Sequence, residues 1–368
     1  MDLVGKIKRR AVRFRDRRRL EQITAVEAAA LPANGAPGTR FNVAVVGAGA
    51  MGRDQCLGLQ QVPQAKIVAV ADHNPEALAW LQRQVGLPGV TFYEDTRALL
   101  EAVNIDLLCV ATNTTAHLAI AQQGVEAGVR RIIIEKPIGN QVAASRHLAQ
   151  ACSRQGVKLT VNHSRRWSGD YAAIKRCVVH GYIGALRRVW ATLGPNGMAM
   201  GGLHFVDLIS YLADAKIEWV VGFLDAVDKP NRRGAQFEDP SGYALLGLER
   251  GIRGYVDTSA DLGIKHKTLV LLGQNGRIEV DERQRLWHLV HPVLGRRRFA
   301  FQDIDKPAGY FTKVAAEALS DTAPSCGAEE GIAALEAVVA VHLSHQAGHA
   351  RVGLPLQGEE AEMAFPFP

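Results

Sequence analysis

The sequence predicts an α/β protein of two folded units: a parallel sheet wound with helices, then a mixed sheet with helices on one face. Three observations carry this. From Phe41 onward, apolar strand-like runs alternate with helix-like stretches. The first run, "FNVAVVGAGAMG", leads into Gly47, Gly49 and Gly52, and the next, "AKIVAVAD", ends on Asp72, twenty residues after Gly52. From about Trp167 the alternation gives way to hairpin-like segments with glycine turns such as "GQNGR".

In the first unit each glycine has a separate task. Gly47 permits the turn, Gly49 lets the backbone approach a pyrophosphate, and Gly52 lets a helix close on the strand. That helix is expected over Arg53 to Gln61, and its N-terminus presents free N–H groups to a phosphate. With strands on both sides and an acid ending the second, this is the dinucleotide fingerprint in its required context. Asp72 is placed to accept hydrogen bonds from a ribose diol. His73 follows it, with no arginine to clamp a 2′-phosphate, so NAD is expected in preference to NADP.

The rhythm continues through "VTFYEDTRALLEA", "IDLLCVATNTTAHLAIAQQGVEAG", "VRRIIIEKPIG" and "VKLTVNHSRRW". In an open parallel sheet, ligands bind beyond the carboxyl ends of the strands. Thr112, Asn113, Glu135, Lys136, Asn162 and His163 all fall at such ends. Lys136, fixed before Pro137, is placed to stabilise an alkoxide or shuttle a proton beside a nicotinamide; the alternative is an ion pair with Glu135 or a solvated lysine. Arg165 and Arg166 offer planar forks for a carboxylate or phosphate, or pair with acids such as Asp170. Tyr171 lies close by as a further polar group.

The second unit reads as strands at "ALRRVWATLGP", "IEWVVGFLDAVD", "SGYALLGLERGIRGYVDTSAD", "HKTLVLLGQNGRIEVDE" and "QRLWHLV", with a helix at "GGLHFVDLISYLAD" and two more near the end of the chain. On residues alone, His204 is either a satisfied helix histidine or a group brought close to the cofactor cleft by Gly201 and Gly202.

Composition narrows the function classes. The chain is 47% hydrophobic and 22% charged, with five scattered cysteines and no C-x-x-C spacing. That argues against a disulfide framework or a zinc site; no metal is expected, and a reducing, cytoplasmic setting is. No apolar run is long enough for a spanning helix, and no signal-peptide core follows the basic start. The net charge of +6 belongs wholly to residues 1–40, which hold ten Lys and Arg against four Asp and Glu. Residues 1–30 of this extension read as a basic amphipathic segment that touches an anionic membrane surface, at the inner face, or a partner; the alternative is a helical tail that packs on its own protein, or a solvated one. Nothing else supports nucleic-acid binding.

The "VVGAGAMG" turn, the "ATNTTAH" loop (Ala111 to His117), "EKPIG" (Glu135 to Gly139) and "GGLHFVDL" (Gly201 to Leu208) together resemble the glucose–fructose oxidoreductase, inositol dehydrogenase and rhizopine catabolism (Gfo/Idh/MocA) family, across roughly residues 41–350. The resemblance implies an N-terminal Rossmann domain and a C-terminal α/β domain with an open, largely antiparallel sheet that often forms an oligomer interface, here a homodimer or homotetramer. It implies hydride transfer between a nicotinamide and a ring carbon of a sugar or cyclitol, with Lys136 and His204 catalytic and Asp207 supporting the site or helix. Cofactor contacts are expected from Gly47, Gly49, Ala50, Met51, Gly52, Asp72, His73, Thr112, Asn113, His117, Glu135 and Lys136. Substrate contacts are expected from Asn162, Arg165, Arg166, Tyr171 and Asp207. The "NHSRRW" loop is similar to that of members acting on nucleotide-linked or otherwise modified sugars. Met200 stands where the family motif usually has an acid. That departure keeps two other readings in view: an NAD-binding regulatory or scaffold protein acting through its basic arm, and a redox-neutral sugar modification with tightly held NAD. The expected divisions are an extension at 1–40, a Rossmann domain at 41–164, a substrate and oligomerisation domain at 165–350, and a tail at 351–368.

Overall fold

The computed structural model describes residues 19–25, 40–227, 231–302 and 307–368. Six parallel strands form the first sheet: β1 (Phe41–Val46), β2 (Ala65–Ala71), β3 (Thr91–Tyr93), β4 (Leu107–Val110), β5 (Arg131–Glu135) and β6 (Lys158–Asn162). Their order is β3-β2-β1-β4-β5-β6. Every residue of β4 is buried, as a strand covered on both faces requires. The connections are α2 (Ala50–Leu59), α3 (Pro75–Val85), α4 (Thr96–Ala102), α5 (Thr114–Glu126) and α6 (Val142–Gln155). Local chemistry sets their ends. At α3, the Asn74 side chain accepts from the Glu76 N–H, Pro75 opens the helix, and Gly86 closes it in a left-handed conformation. The order of the strands reverses between β1 and β4, which opens a crevice above their carboxyl ends.

The second sheet has nine strands, ordered β14-β13-β12-β11-β7-β10-β9-β8-β15. In chain order they are β7 (Leu186–Thr192), β8 (Ile217–Leu224), β9 (Gly242–Leu248), β10 (Arg253–Asp257), β11 (Thr268–Gly273), β12 (Arg277–Asp281), β13 (Leu286–His291), β14 (Gly295–Ala300) and β15 (Val352–Gly353). Neighbours run antiparallel except β7 and β10. This is the open, largely antiparallel sheet expected. Alternate residues of β12 and β13 are buried, the period-two signature of a half-covered sheet. The helices α7 (Gly169–Val179), α8 (Leu203–Ala213) and α10 (Ala328–Gln346) belong to this half, with α8 and α10 packed on its strands. On the uncovered face Trp190 and Leu245 are exposed.

The chain then returns to the first sheet. The helix α9 (Pro307–Leu319) packs on α2, β5 and β6, and α10 also touches α6 and β6. One contiguous core therefore runs through both sheets. The last residues are docked as well: Phe367 is fully buried, and the Phe365 N–H donates to the Asn140 carbonyl at 3.0 Å, beyond the short α11 (Gly358–Glu362).

Of the basic extension, residues 19–24 form a helical segment, α1. Leu20 is buried there, and Arg176 of α7 donates to the carbonyls of Ile23 and Ala25 at 2.8 and 3.1 Å. This part packs on its own protein. The remainder of the 1–30 segment lies outside the described residues. Among the described residues no helix is long and apolar enough to cross a membrane. The five cysteines are free and buried.

Candidate active site

The fingerprint turn has the shape its glycines predict. Gly47 has φ +104°, and a Cβ there would lie 2.5 Å from the Ala111 carbonyl oxygen. At Gly52 a Cβ would lie 1.9 Å from the Gly47 carbonyl oxygen, so Gly52 packs under the turn and does not face a ligand. A Cβ at Gly49 meets nothing within 4 Å. No side chain caps the first N–H groups of α2. The turn thus leaves room and donors for a pyrophosphate, and these residues fit a dinucleotide. Asp72 holds the turn together: one oxygen accepts from the Ala48 N–H at 2.7 Å, the other from the Asn74 N–H at 2.9 Å. His73 is almost fully exposed.

Beyond the strand ends lies a cavity of about 470 Å³. Of the expected residues it gathers Met51, Thr112, His117, Glu135, Lys136, Asn162, Arg165 and His204. Met200, singled out by its departure from the family motif, lines it as well, and residues that sequence reasoning missed complete it: Asp54 and Gln55 of α2, Thr114 of α5, Ser164, Arg233, Lys267, Glu282, and Tyr310 and Phe311 of α9. Asn113 lies outside this lining as the N-cap of α5, where its side-chain oxygen accepts from the Thr115 hydroxyl at 2.9 Å.

Glu135 ends β5 and is buried. Its Oε1 accepts from Gln55 Nε2 at 2.8 Å and from Asn162 Nδ2 at 2.7 Å. Burial pushes its carboxyl up, and the two amide donors oppose that. Lys136 turns the other way. Its Nζ donates to the Met200 carbonyl at 3.1 Å, and no ion pair with Glu135 forms within bonding distance. Burial lowers its pKa to about 8, with the charge of Glu135 opposing the shift. An ammonium near that value exchanges its proton close to neutral pH.

His117 lies between the Pro137 carbonyl, 2.8 Å from Nδ1, and the Thr112 carbonyl, 3.2 Å from Nε2. Burial lowers its pKa to about 4, so the ring is neutral and donates to one carbonyl only. It ties the loop after β4 to the loop after β5. His204 opens α8 after a wide π-type turn over Met198–Gly202. Burial lowers its pKa well below the ordinary value, with Lys136 and Arg165 adding to the effect. Its ring meets that of His163 edge to face, centroids 6.3 Å apart.

The two arginines of "NHSRRW" are both engaged, and by acids other than Asp170. Arg165 grips Glu282 with Nε and Nη2 at 2.7 and 2.8 Å, lies 4.7 Å over the Phe205 ring, and lines the cavity. Burial works against both charges, and the pairing outweighs it: Arg165 is raised and Glu282 lowered. Arg166 holds Asp207 through Nε and Nη2 at 3.0 and 2.8 Å. The expectation that Arg166, Asp207 and Tyr171 touch substrate is corrected here. None of them lines the cavity: Arg166 and Asp207 neutralise each other in the interior, and the buried Tyr171 hydroxyl donates to Glu282 at 2.7 Å. Asp170 instead accepts from the Gln302 N–H at 2.8 Å. Among the described residues His163, Asp207 and Cys326 bring ligand-type atoms within 4.8 Å of one another. The guanidinium already on Asp207 opposes a dication at that point.

Arg233 and Lys267 reach the cavity from loops of the second half, and neither has an ion-pair partner among the described residues. Neither carries a sequence signal, because which loop end faces the crevice is settled by the second sheet's packing.

Fold and cavity define a candidate dinucleotide site, with a lysine and a neutral histidine facing one crevice. Residues 41–163, about a third of the chain, match the Gfo/Idh/MocA oxidoreductase family with an NAD-binding Rossmann fold. The chain is 31% identical to the D-apiose dehydrogenase of Paraburkholderia graminis over 145 residues, 39% of this chain and 38% of that protein. It is also 31% identical to an inositol 2-dehydrogenase/D-chiro-inositol 3-dehydrogenase of Halalkalibacterium halodurans over 188 residues, 48% of this chain and 53% of that one. The matched stretches thus span about half or less of these two relatives. In fold it is similar to an oxidoreductase from Agrobacterium radiobacter solved with NAD+, L-tartaric acid and magnesium. There the TM-score is 0.75 at 18% identity, covering 86% of this chain and 98% of the other.

Proposed function

We propose that the protein is a nicotinamide-dependent oxidoreductase that interconverts a ring alcohol of a sugar or cyclitol with the ketone. The observation that carries this reading is Lys136: a lysine at a strand end, with its pKa lowered to about 8, sharing a cavity with the neutral His204 and with Met51, which follows the fingerprint turn. The relatives named for apiose and inositol support the substrate class.

When bound, the nicotinamide supplies the hydride acceptor or donor. The chain's own groups do the rest. Gly47, Gly49 and the first turn of α2 would hold the pyrophosphate, and Asp72 would accept from the ribose hydroxyls, which favours NAD. Lys136 takes the hydroxyl proton as the alcohol becomes a ketone and returns it in reverse. His204 accepts or donates a hydrogen bond to the same oxygen. Arg233 and Lys267, which no acid among the described residues cancels, favour a substrate carrying a carboxylate or phosphate, as in an acidic or nucleotide-linked sugar. The exposed face with Trp190 and Leu245 suits a second copy of the chain.

The test is absorbance of reduced cofactor at ~340 nm with a panel of neutral, acidic and nucleotide-linked sugars. Lys136→Ala is expected to lower turnover about 10²- to 10⁴-fold and leave cofactor affinity nearly unchanged, since only the proton step loses its partner. Undiminished turnover would refute the role of Lys136. Binding of NADH without turnover of any sugar would favour the regulatory reading.

A further inference from the structure

Met200 lies between two charged side chains that its own side chain does not resemble. Its carbonyl accepts from Lys136 Nζ at 3.1 Å, and its N–H donates to Asp239 Oδ2 at 3.1 Å. The other oxygen of Asp239 accepts from the Ala199 N–H at 2.7 Å. Next to it, the Met198 N–H donates to the Pro240 carbonyl at 2.9 Å. Three successive N–H groups of the turn that leads into α8 are therefore held by two successive residues of a distant loop. The site for this carboxylate is built in: a Cβ on Gly197 would lie 1.7 Å from Asp239 Oδ2. Only a residue without a side chain leaves the room that Asp239 occupies.

We propose that Asp239 is a positioning residue for Lys136: it fixes the Met200 carbonyl on which the ammonium rests and adds a negative charge beside it. Asp239 thereby supplies, from another loop, an acid beside the turn in which Met200 carries none. The proposal rests on the reading of Lys136 as the proton-transfer group, but its geometry does not depend on turnover.

Lys136 is faced by Glu135 and Asp239, which raise its pKa, and by Arg233 and Arg165, which lower it; burial is the largest influence and lowers it. The rings of His117, His163 and His204, also near it, are held neutral by burial. Asp239 itself is raised to about 6 by burial, against the two backbone donors and the charges of Lys136 and Arg233. Removing its charge leaves Lys136 with Glu135 as the acid still supporting its proton.

The experiment is competitive labelling of the full-length protein with limiting acetic anhydride, from about pH 6 to about pH 10, with Lys136 acetylation read by peptide mass spectrometry. In the wild type the half-point is expected near 8. In Asp239→Asn it is expected to fall by about half a unit or more, because the charge goes while an oxygen acceptor remains. Gly197→Ala, which evicts the carboxylate without altering it, is expected to shift it the same way. An unchanged half-point in whichever of these variants folds, judged by circular dichroism, overturns the proposal. Because labelling needs no substrate, a shifted half-point in a protein that turns over no sugar would count against the proposed function alone. An unshifted one in an active enzyme would count against Asp239 alone.

Discussion

The two walls of the cavity hold their charges in different ways. On the parallel-sheet wall, Glu135 sits between two amides, Gln55 and Asn162, and Lys136 rests on a backbone carbonyl; neither forms a side-chain ion pair among the described residues. On the wall from the second half, charge is cancelled by charge: Arg165 with Glu282, and behind it Arg166 with Asp207. The first arrangement leaves each group free to change protonation, because a neutral amide exacts little when its partner gains or loses a proton. The second locks its groups. The proton-transfer lysine and the scaffolding pairs are thus held by different means.

The largest expected effect breaks the scaffold. Asp207 and Arg166 have side-chain exposures of 1% and 9%, so removing one leaves the other charged in the interior. Arg166→Met is expected to destabilise the fold by about 3–5 kcal/mol, and Arg166→Met/Asp207→Leu to recover most of that, since an apolar pair of similar volume needs no compensation. Urea unfolding of the two variants decides it. If the double variant is as unstable as the single, the pair does more than cancel its own charge.

The same division explains what could be read from the sequence. Glu135, Lys136, Asn162 and Thr112 were legible because topology alone sends the carboxyl ends of parallel strands to one crevice. The fingerprint glycines were legible because a pyrophosphate turn has only one cheap backbone solution. Arg165 and Arg166 could not be divided by sequence into one that lines the cavity and one that does not. Their partners lie 117 and 41 residues away, and which acid meets which arginine is fixed by how β12 and α8 pack. Asp239 and Gly197 were silent for the same reason: a carboxylate meeting backbone N–H groups across 40 residues leaves no spacing to detect.

A second test of the contrast uses pH. Burial lowers His117, at the first wall, and His163, beside Asp207, from an ordinary 6.5 to about 4. Below the unfolded value the unfolded chain binds protons that the native rings refuse. Stability is therefore full above about pH 6.5 and falls as pH drops toward about 4. Between pH 7.5 and pH 5 each ring is expected to account for about 2 kcal/mol. His163→Leu should remove its share of that loss. An equally steep pH dependence in His163→Leu would mean that the nearby Asp207, 3.6 Å from Nδ1, lets the native ring take up its proton.

The smallest expected effect falls on the charges that neither wall cancels. Arg233 is exposed at the cavity, with no ion-pair partner among the described residues. Arg233→Ala should leave folding stability within about 0.5 kcal/mol, as a surface change without lost partners does. For a sugar carrying a carboxylate or phosphate, KM is expected to rise about tenfold, the equivalent of one charge-assisted hydrogen bond, and added salt should mimic the change in the wild type. For a neutral sugar, KM should stay where it was. That split is what separates an uncancelled charge from a scaffolding one: removing Arg166 should weaken the fold for every substrate alike, whereas removing Arg233 should be felt only by an anion. If neutral and acidic sugars lose affinity equally in Arg233→Ala, the arginine shapes the crevice without reading charge, and the preference for an acidic substrate falls with it.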